Sequence, residues 1–113
     1  MASIRTDTEQ VKKFAQDLII GNSEDTWNTI NGSSNILGDM EPTNSSSRTK
    51  IFTKNHCNVE FRRKKIIIRD SSTSRSWTSK NRKSEWNKGI SFLFEFLGGK
   101  WRDLLKEIPN KTE

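Results

Sequence analysis

Two pairs of apolar residues of opposite parity set the main constraint on how this chain folds. Val59 and Phe61 stand two residues apart; Ile66 and Ile68 do too, but on even positions. Successive side chains of a strand point to opposite faces, so one unbroken strand would send one pair to the wrong side of its sheet. Four cations, Arg62, Arg63, Lys64 and Lys65, separate the pairs. That quartet is expected to hold a hairpin turn or a bulge, and either device sets the cations at a tight, exposed place.

Further strand signals flank this unit. Ile51-Phe52 between Thr49 and Thr53 predicts a short strand, Asn55-His56 a turn, Ser71–Ser74 another turn, and Arg75–Ser79 a last strand around Trp77. Residues 8–20 place Val11, Phe14, Leu18 and Ile19 on one helical face. Asp7 and Gln10 are spaced as a capping box, and Gly21-Asn22 forms a stop. A second short helix is expected from Ser23, with Glu24 and Asp25 in its first turn and Trp27 and Ile30 inward. Residues 31–48, rich in Asn, Gly, Ser and Pro, read as a flexible loop, with 43–47 as a mobile linker. The clearest helix covers 84–97: Trp86, Ile90, Leu93, Phe94 and Leu97 line one stripe, Phe92 and Phe96 a second, and Ser84 suits the N-cap. After Gly98-Gly99, a final helix with Trp101, Leu104, Leu105 and Ile108 is expected to stop at Pro109. The fold class expected is α+β, a small antiparallel sheet of three or four strands with N- and C-terminal helices packed on one face.

At 113 residues there is room for one core, and 1–113 is read as a single domain. One cysteine, Cys57, excludes an internal disulfide. No apolar run is long enough to span a membrane, and no basic-then-apolar leader begins the chain. An intracellular location, cytoplasmic or nuclear, is expected.

Charge is sorted along the chain. Residues 48–88 hold thirteen Lys/Arg against three acids, a net +10, whereas the first 47 residues carry −4 and the last 25 are neutral. A concentrated basic segment attracts polyanions by its field and by counterion release, and nucleic acid is the commonest polyanion. The expected phosphate-binding residues are Arg62, Arg63, Lys64, Lys65, Arg69, Arg75, Lys80, Arg82 and Lys83. The alternative is a solvated sheet whose cations discourage edge pairing. Trp77, between Arg75 and Lys80 with no apolar neighbour two residues away, is a candidate to stack on an unpaired base or end pair, though core anchoring is favoured for it. Trp27, Trp86 and Trp101 read as core.

One Cys and one His make no zinc finger, and the basic residues sit on strands and turns, not on a recognition helix. The order helix, strands, basic loop, helix resembles that of double-stranded-RNA-binding domains in element order alone; no motif is shared. In that arrangement a basic loop and a helix start meet phosphates across the grooves, reading shape. RNA is therefore expected before DNA, and duplex before single strand.

Other chemistries are weaker. His56-Cys57 suggests a thiol–imidazole pair, but sequence neighbours seldom face each other in a strand and no third member is present. Glu60 with Asp70 or Asp39 is the nearest approach to a nuclease metal site, and it lacks a second carboxylate at strand spacing. No cofactor is expected, and no enzymatic activity. The apolar C-terminal surface, with Phe92, Phe96 and Trp101, suits either a helix sandwiched within the domain or a homodimer interface. Membrane attachment through the cations is disfavoured, because the basic segment is not an amphipathic helix. The leading expectation is a sequence-independent RNA-binding protein, of a character that fits a virus- or mobile-element-encoded suppressor sequestering duplex RNA. The alternative is a small inhibitor or accessory subunit that docks an acidic protein.

Overall fold

The parity flip resolves as a hairpin turn. In the computed structural model, which describes residues 2–104, strands β3 (Cys57–Phe61) and β4 (Ile66–Asp70) pair antiparallel with Val59 opposite Ile68 and Phe61 opposite Ile66. The Arg62 amide donates to the Lys65 carbonyl at 2.9 Å, closing the turn between them. Three more strands, β1 (Glu41–Ser45), β2 (Lys50–Lys54) and β5 (Arg75–Thr78), complete a meander in the order β1-β2-β3-β4-β5, every pair antiparallel. The sheet thus has five strands, not three or four.

The turns follow from their residues. Asn55 adopts φ 56°, a left-handed conformation that asparagine tolerates better than most residues, and this reverses the chain between β2 and β3. Between β4 and β5 the Asp70 carboxylate accepts from the Ser72 amide, the Ser72 hydroxyl and the Thr73 hydroxyl. These bonds hold the Asp70 carboxyl below its usual range, led by the bond from the Ser72 hydroxyl.

The extra strand comes from the segment expected to be a loop. A 3-10 turn at Ser34–Leu37 buries Ile36 and Leu37, and β1 pairs along β2 with a bulge between Pro42 and Asn44. All five β1 residues are exposed. Lacking apolar alternation and carrying a proline, β1 is legible only from its partner, as an edge strand can be. The Ser/Asn stretch 43–47 is therefore half strand and half turn.

Helices α1 (Ala2–Ile20), α2 (Ser23–Gly32), α3 (Lys83–Leu97) and α4 (Gly99–Leu104) frame the sheet. Helix α1 starts at Ala2, well before residue 8, so position 7 lies within the helix and not at its N-cap. Asn22 caps α2, its side chain accepting from the Asp25 amide. Helix α3 begins at Lys83 with Arg82 at the cap position and no side-chain cap bond, so Ser84 lies in the first turn. Leu105, Ile108 and Pro109 lie outside the described residues. No helix among the described residues is long and apolar enough to cross a membrane.

One sheet face carries the core. Phe52, Val59, Ile68 and Trp77 form a row across four strands, with Phe61 and Ile66 beside it, and they pack against Phe14, Leu18, Trp27, Ile30, Ile90, Leu93 and Phe94 of the helices. The buried Trp86 indole donates to the Leu18 carbonyl at 2.7 Å, tying α3 to the end of α1. Trp101 is 5% exposed and packs edge-on against Phe14 and Phe94 within the core. Phe92 and Phe96 are half-buried against the core.

Trp77 is 5% exposed, with its ring 5.5 Å from that of Phe92. It is a core anchor, and no face is open to a base. Helix α3 approaches it through Gly89, where an added β-carbon would fall 2.8 Å from Trp77 Cβ. Overpacking of this kind costs about 1–3 kcal/mol. The helix-propensity gain of Gly→Ala, about 1 kcal/mol, is the smaller effect. Gly89→Ala is expected to lower the urea midpoint; a raised midpoint would mean that α3 and β5 are not so close.

Candidate anion-binding end of the sheet

A meander alternates its turns between the two ends of the sheet. The β1–β2 turn (46–49), the β3–β4 turn (62–65) and the β5–α3 loop (79–82) all fall at one end, because Lys50 pairs with Phe61, Phe61 with Ile66, and Ile67 with Thr78. The Ser79 amide donates to the Ile66 carbonyl and the Ile66 amide to the Ser79 hydroxyl, which binds the last loop beside the quartet. This end therefore gathers Arg48, Lys50, Arg62, Arg63, Lys64, Lys65, Lys80, Arg82 and Lys83. Arg48, Arg62, Arg63, Lys64, Lys80, Arg82 and Lys83 are exposed, and Lys50 and Lys65 are half-buried. The opposite end holds the Asn55-His56 and 71–74 turns.

Between the first two turns lies a cleft of about 730 Å³ lined by Trp27, Ser47, Arg48, Thr49, Arg62, Arg63 and Lys64. The lining holds four cations and no carboxylate. Trp27, 2% exposed, sits at its base; the Lys50 ammonium lies 5.8 Å and the Arg63 guanidinium 5.9 Å from its ring. At such distances the ring's negative face attracts cations. The Ser23 hydroxyl donates to the Arg63 carbonyl at 3.0 Å, fixing the quartet turn to the start of α2. The first turn of α2 carries Glu24 and Asp25, and the Asp25 carboxylate lies 3.8 Å from the Lys13 ammonium of α1.

Not every expected site residue joins this end. Arg69 points to the uncovered sheet face, where it and Arg62 both donate to the Glu60 carboxylate. Glu60 is 3% exposed, its carboxylate held between the two guanidiniums. Arg75 stands at the far end of β5, its guanidinium 5.0 Å from the Trp77 ring. Arg75 and Trp77 thus leave the candidate site, and Arg69 holds a structural bridge. Arg48 and Lys50 enter it, because an additional strand brings their turn to the same end. Their charge was visible in the sequence, but their position depended on β1.

Burial alone raises the Glu60 carboxyl, but the hydrogen bonds from Arg69 and Arg62 outweigh it and hold the group below the usual glutamate range. A carboxyl depressed in the folded state contributes stability above its unfolded value and loses it as pH falls through the folded value. Glu60→Gln is expected to cost about 1 kcal/mol at neutral pH, the arginines being partly solvated. It should also flatten the acid side of the stability curve in urea titrations below the ordinary glutamate range. An unchanged acid slope would mean that the bridge is not formed in solution.

Among the described residues, His56 Nε2 lies 3.8 Å from Oδ1 of Asp70, the strand partner of Cys57. Cys57 is fully buried, and burial, then the Asp70 charge, push its thiol up to about 12, so it stays protonated near neutral pH. Glu60 faces the open side of the sheet while Asp70, opposite Cys57, faces the core side, and Asp39 pairs with Lys54 at 3.1 Å. No group of three or more metal-ligating side chains occurs among the described residues.

Comparison with known proteins finds no matching family model, no matching curated protein and no matching solved structure.

Proposed function

We propose that this chain is a non-enzymatic nucleic-acid-binding protein that holds the phosphates of a duplex, RNA in preference to DNA, with its basic sheet end. The observation that carries this reading is the convergence of three successive cation-bearing segments on one end of the meander. Cations on rigid turns form a fixed pattern of charge, and phosphate contacts made by such a pattern carry no base information. Helix α3 adds the amides of an uncapped N-terminus directly after Lys80 and Arg82, a start that favours anions.

Duplex is preferred to single strand because the tryptophan rings and most phenylalanine rings are buried on the covered side, and the half-buried Phe92 and Phe96 lie by His56, away from the basic end. Binding to unpaired strands is driven largely by bases stacked on exposed rings. On the open sheet face stand Ile51, Thr53, Asn58, Glu60, Ile67, Arg69, Ser76 and Thr78, none of them aromatic. The preference for RNA rests on the basic loop leading into a helix start, the order that resembles double-stranded-RNA-binding domains. A protein that only holds duplex RNA would act by sequestering it.

The test is fluorescence anisotropy with duplex RNA, duplex DNA and the single strands, of matched sequence, at two salt concentrations. Tighter binding of duplex RNA that persists near physiological salt supports the proposal. Equally weak binding of all four, lost at modest salt, overturns it.

A further inference from the structure

Building on the nucleic-acid reading above, we infer that the cleft between the β1–β2 and β3–β4 turns is a subsite for the terminal phosphomonoester of a nucleic-acid strand. The charged end of the sheet has two parts of different shape. Lys80, Arg82 and Lys83 stand exposed on the loop and helix start after β5. Arg48, Arg62, Arg63 and Lys64 instead surround a concavity of about 730 Å³. A cavity of that size suits one small ligand and not the body of a duplex. A duplex lying along the outer cations therefore reaches the cleft only with a strand end.

Charge selects which end group fits. A phosphodiester inside a strand carries one negative charge, whereas a phosphomonoester carries about −1.5 to −2 at neutral pH and three acceptor oxygens. Four cations around one cleft, with no carboxylate in its lining, match the more highly charged group. Guanidiniums grip phosphate oxygens in pairs, and the Ser47 and Thr49 side chains supply hydroxyl donors at the same wall. Trp27 forms the base but is 2% exposed, so it shapes the cleft without stacking on a terminal base. Selection then falls on the phosphate and leaves the sequence unread.

Arg62 is committed in part to Glu60, whereas Arg48 and Lys64 make no ion pair among the described residues. These two are the variants of choice, both exposed on turns. The probes are RNA hairpins with one open end, identical except for a 5′-phosphate, a 3′-phosphate or hydroxyls alone, compared by anisotropy at one salt concentration. One phosphorylated end is expected to bind about tenfold tighter than the hydroxyl end, the gain of charge-assisted bonds to one added phosphate. Arg48→Ala with Lys64→Ala should remove that difference. Lys80→Ala with Lys83→Ala should weaken all three hairpins alike and leave the difference intact. Equal binding of phosphorylated and hydroxyl ends overturns the subsite while leaving nucleic-acid binding in place, and so does a preference that survives Arg48→Ala with Lys64→Ala. Failure of every hairpin to bind overturns both.

Discussion

Replacing Arg63, Lys80, Arg82 and Lys83 together by alanine is expected to weaken binding to duplexes of every sequence by about 10²–10³-fold near physiological salt. The same change should reduce the slope of log affinity against log salt by about four, roughly one for each phosphate that is no longer neutralised. These side chains are exposed and lie on turns or at a helix start, so folding should be little affected. Arg62 is kept, because its removal uncovers one side of the buried Glu60 carboxylate. Alanine at Arg75, on the opposite end of the sheet, provides the contrast and should change neither affinity nor slope. If the fourfold variant retains the wild-type slope, the phosphates are held elsewhere. If only some sequences weaken, bases are being read.

The second large effect is on stability. Trp77→Ala removes a ring packed between Phe92, Gly89 and the Arg75 guanidinium. Truncating a buried aromatic costs about 3–5 kcal/mol, partly through the cavity left behind. Domains of this size have about 5–15 kcal/mol in all, so the variant should sit near the edge of folding. A melting temperature lower by roughly 10–20 °C is expected. Trp77→Phe should recover much of the stability. A near-neutral Trp77→Ala would place the ring in solvent and restore it as a candidate for base stacking.

The turn within the quartet was legible because two rules met there. Val59 and Phe61 needed one parity, Ile66 and Ile68 the other, so a reversal or a bulge had to lie between them; the structure has the reversal, which keeps all four on the covered face. The helices were legible from their apolar spacing: α2 starts at Ser23 as expected, whereas α1 begins at Ala2 instead of residue 8 and α3 at Lys83 instead of Ser84. Strand β1 was not. Glu41, Pro42, Thr43, Asn44 and Ser45 have no apolar face, and what orders them is pairing with β2, which local propensity does not report.

That one strand governs how much of the candidate site was visible. Charge density alone marked residues 48–88, but density does not say which cations share an end. Without β1, Arg48 ends a loop; with it, the 46–49 turn returns to stand across a cleft from Arg63 and Lys64. Conversely, Arg75 and Trp77 were grouped with the basic segment by sequence proximity. Strand direction separates them, because β5 starts at the far end and turns Trp77 into the core.

The most direct measurement is a map of backbone amide shifts in the ¹H–¹⁵N spectrum as a short duplex RNA is added. Binding by the basic end predicts the largest changes at residues 46–50, 62–65 and 79–83, with the Asn55-His56 and 71–74 turns unmoved. Changes centred on those two turns, or on the open face around Asn58 and Ser76, with the basic end silent, would contradict it.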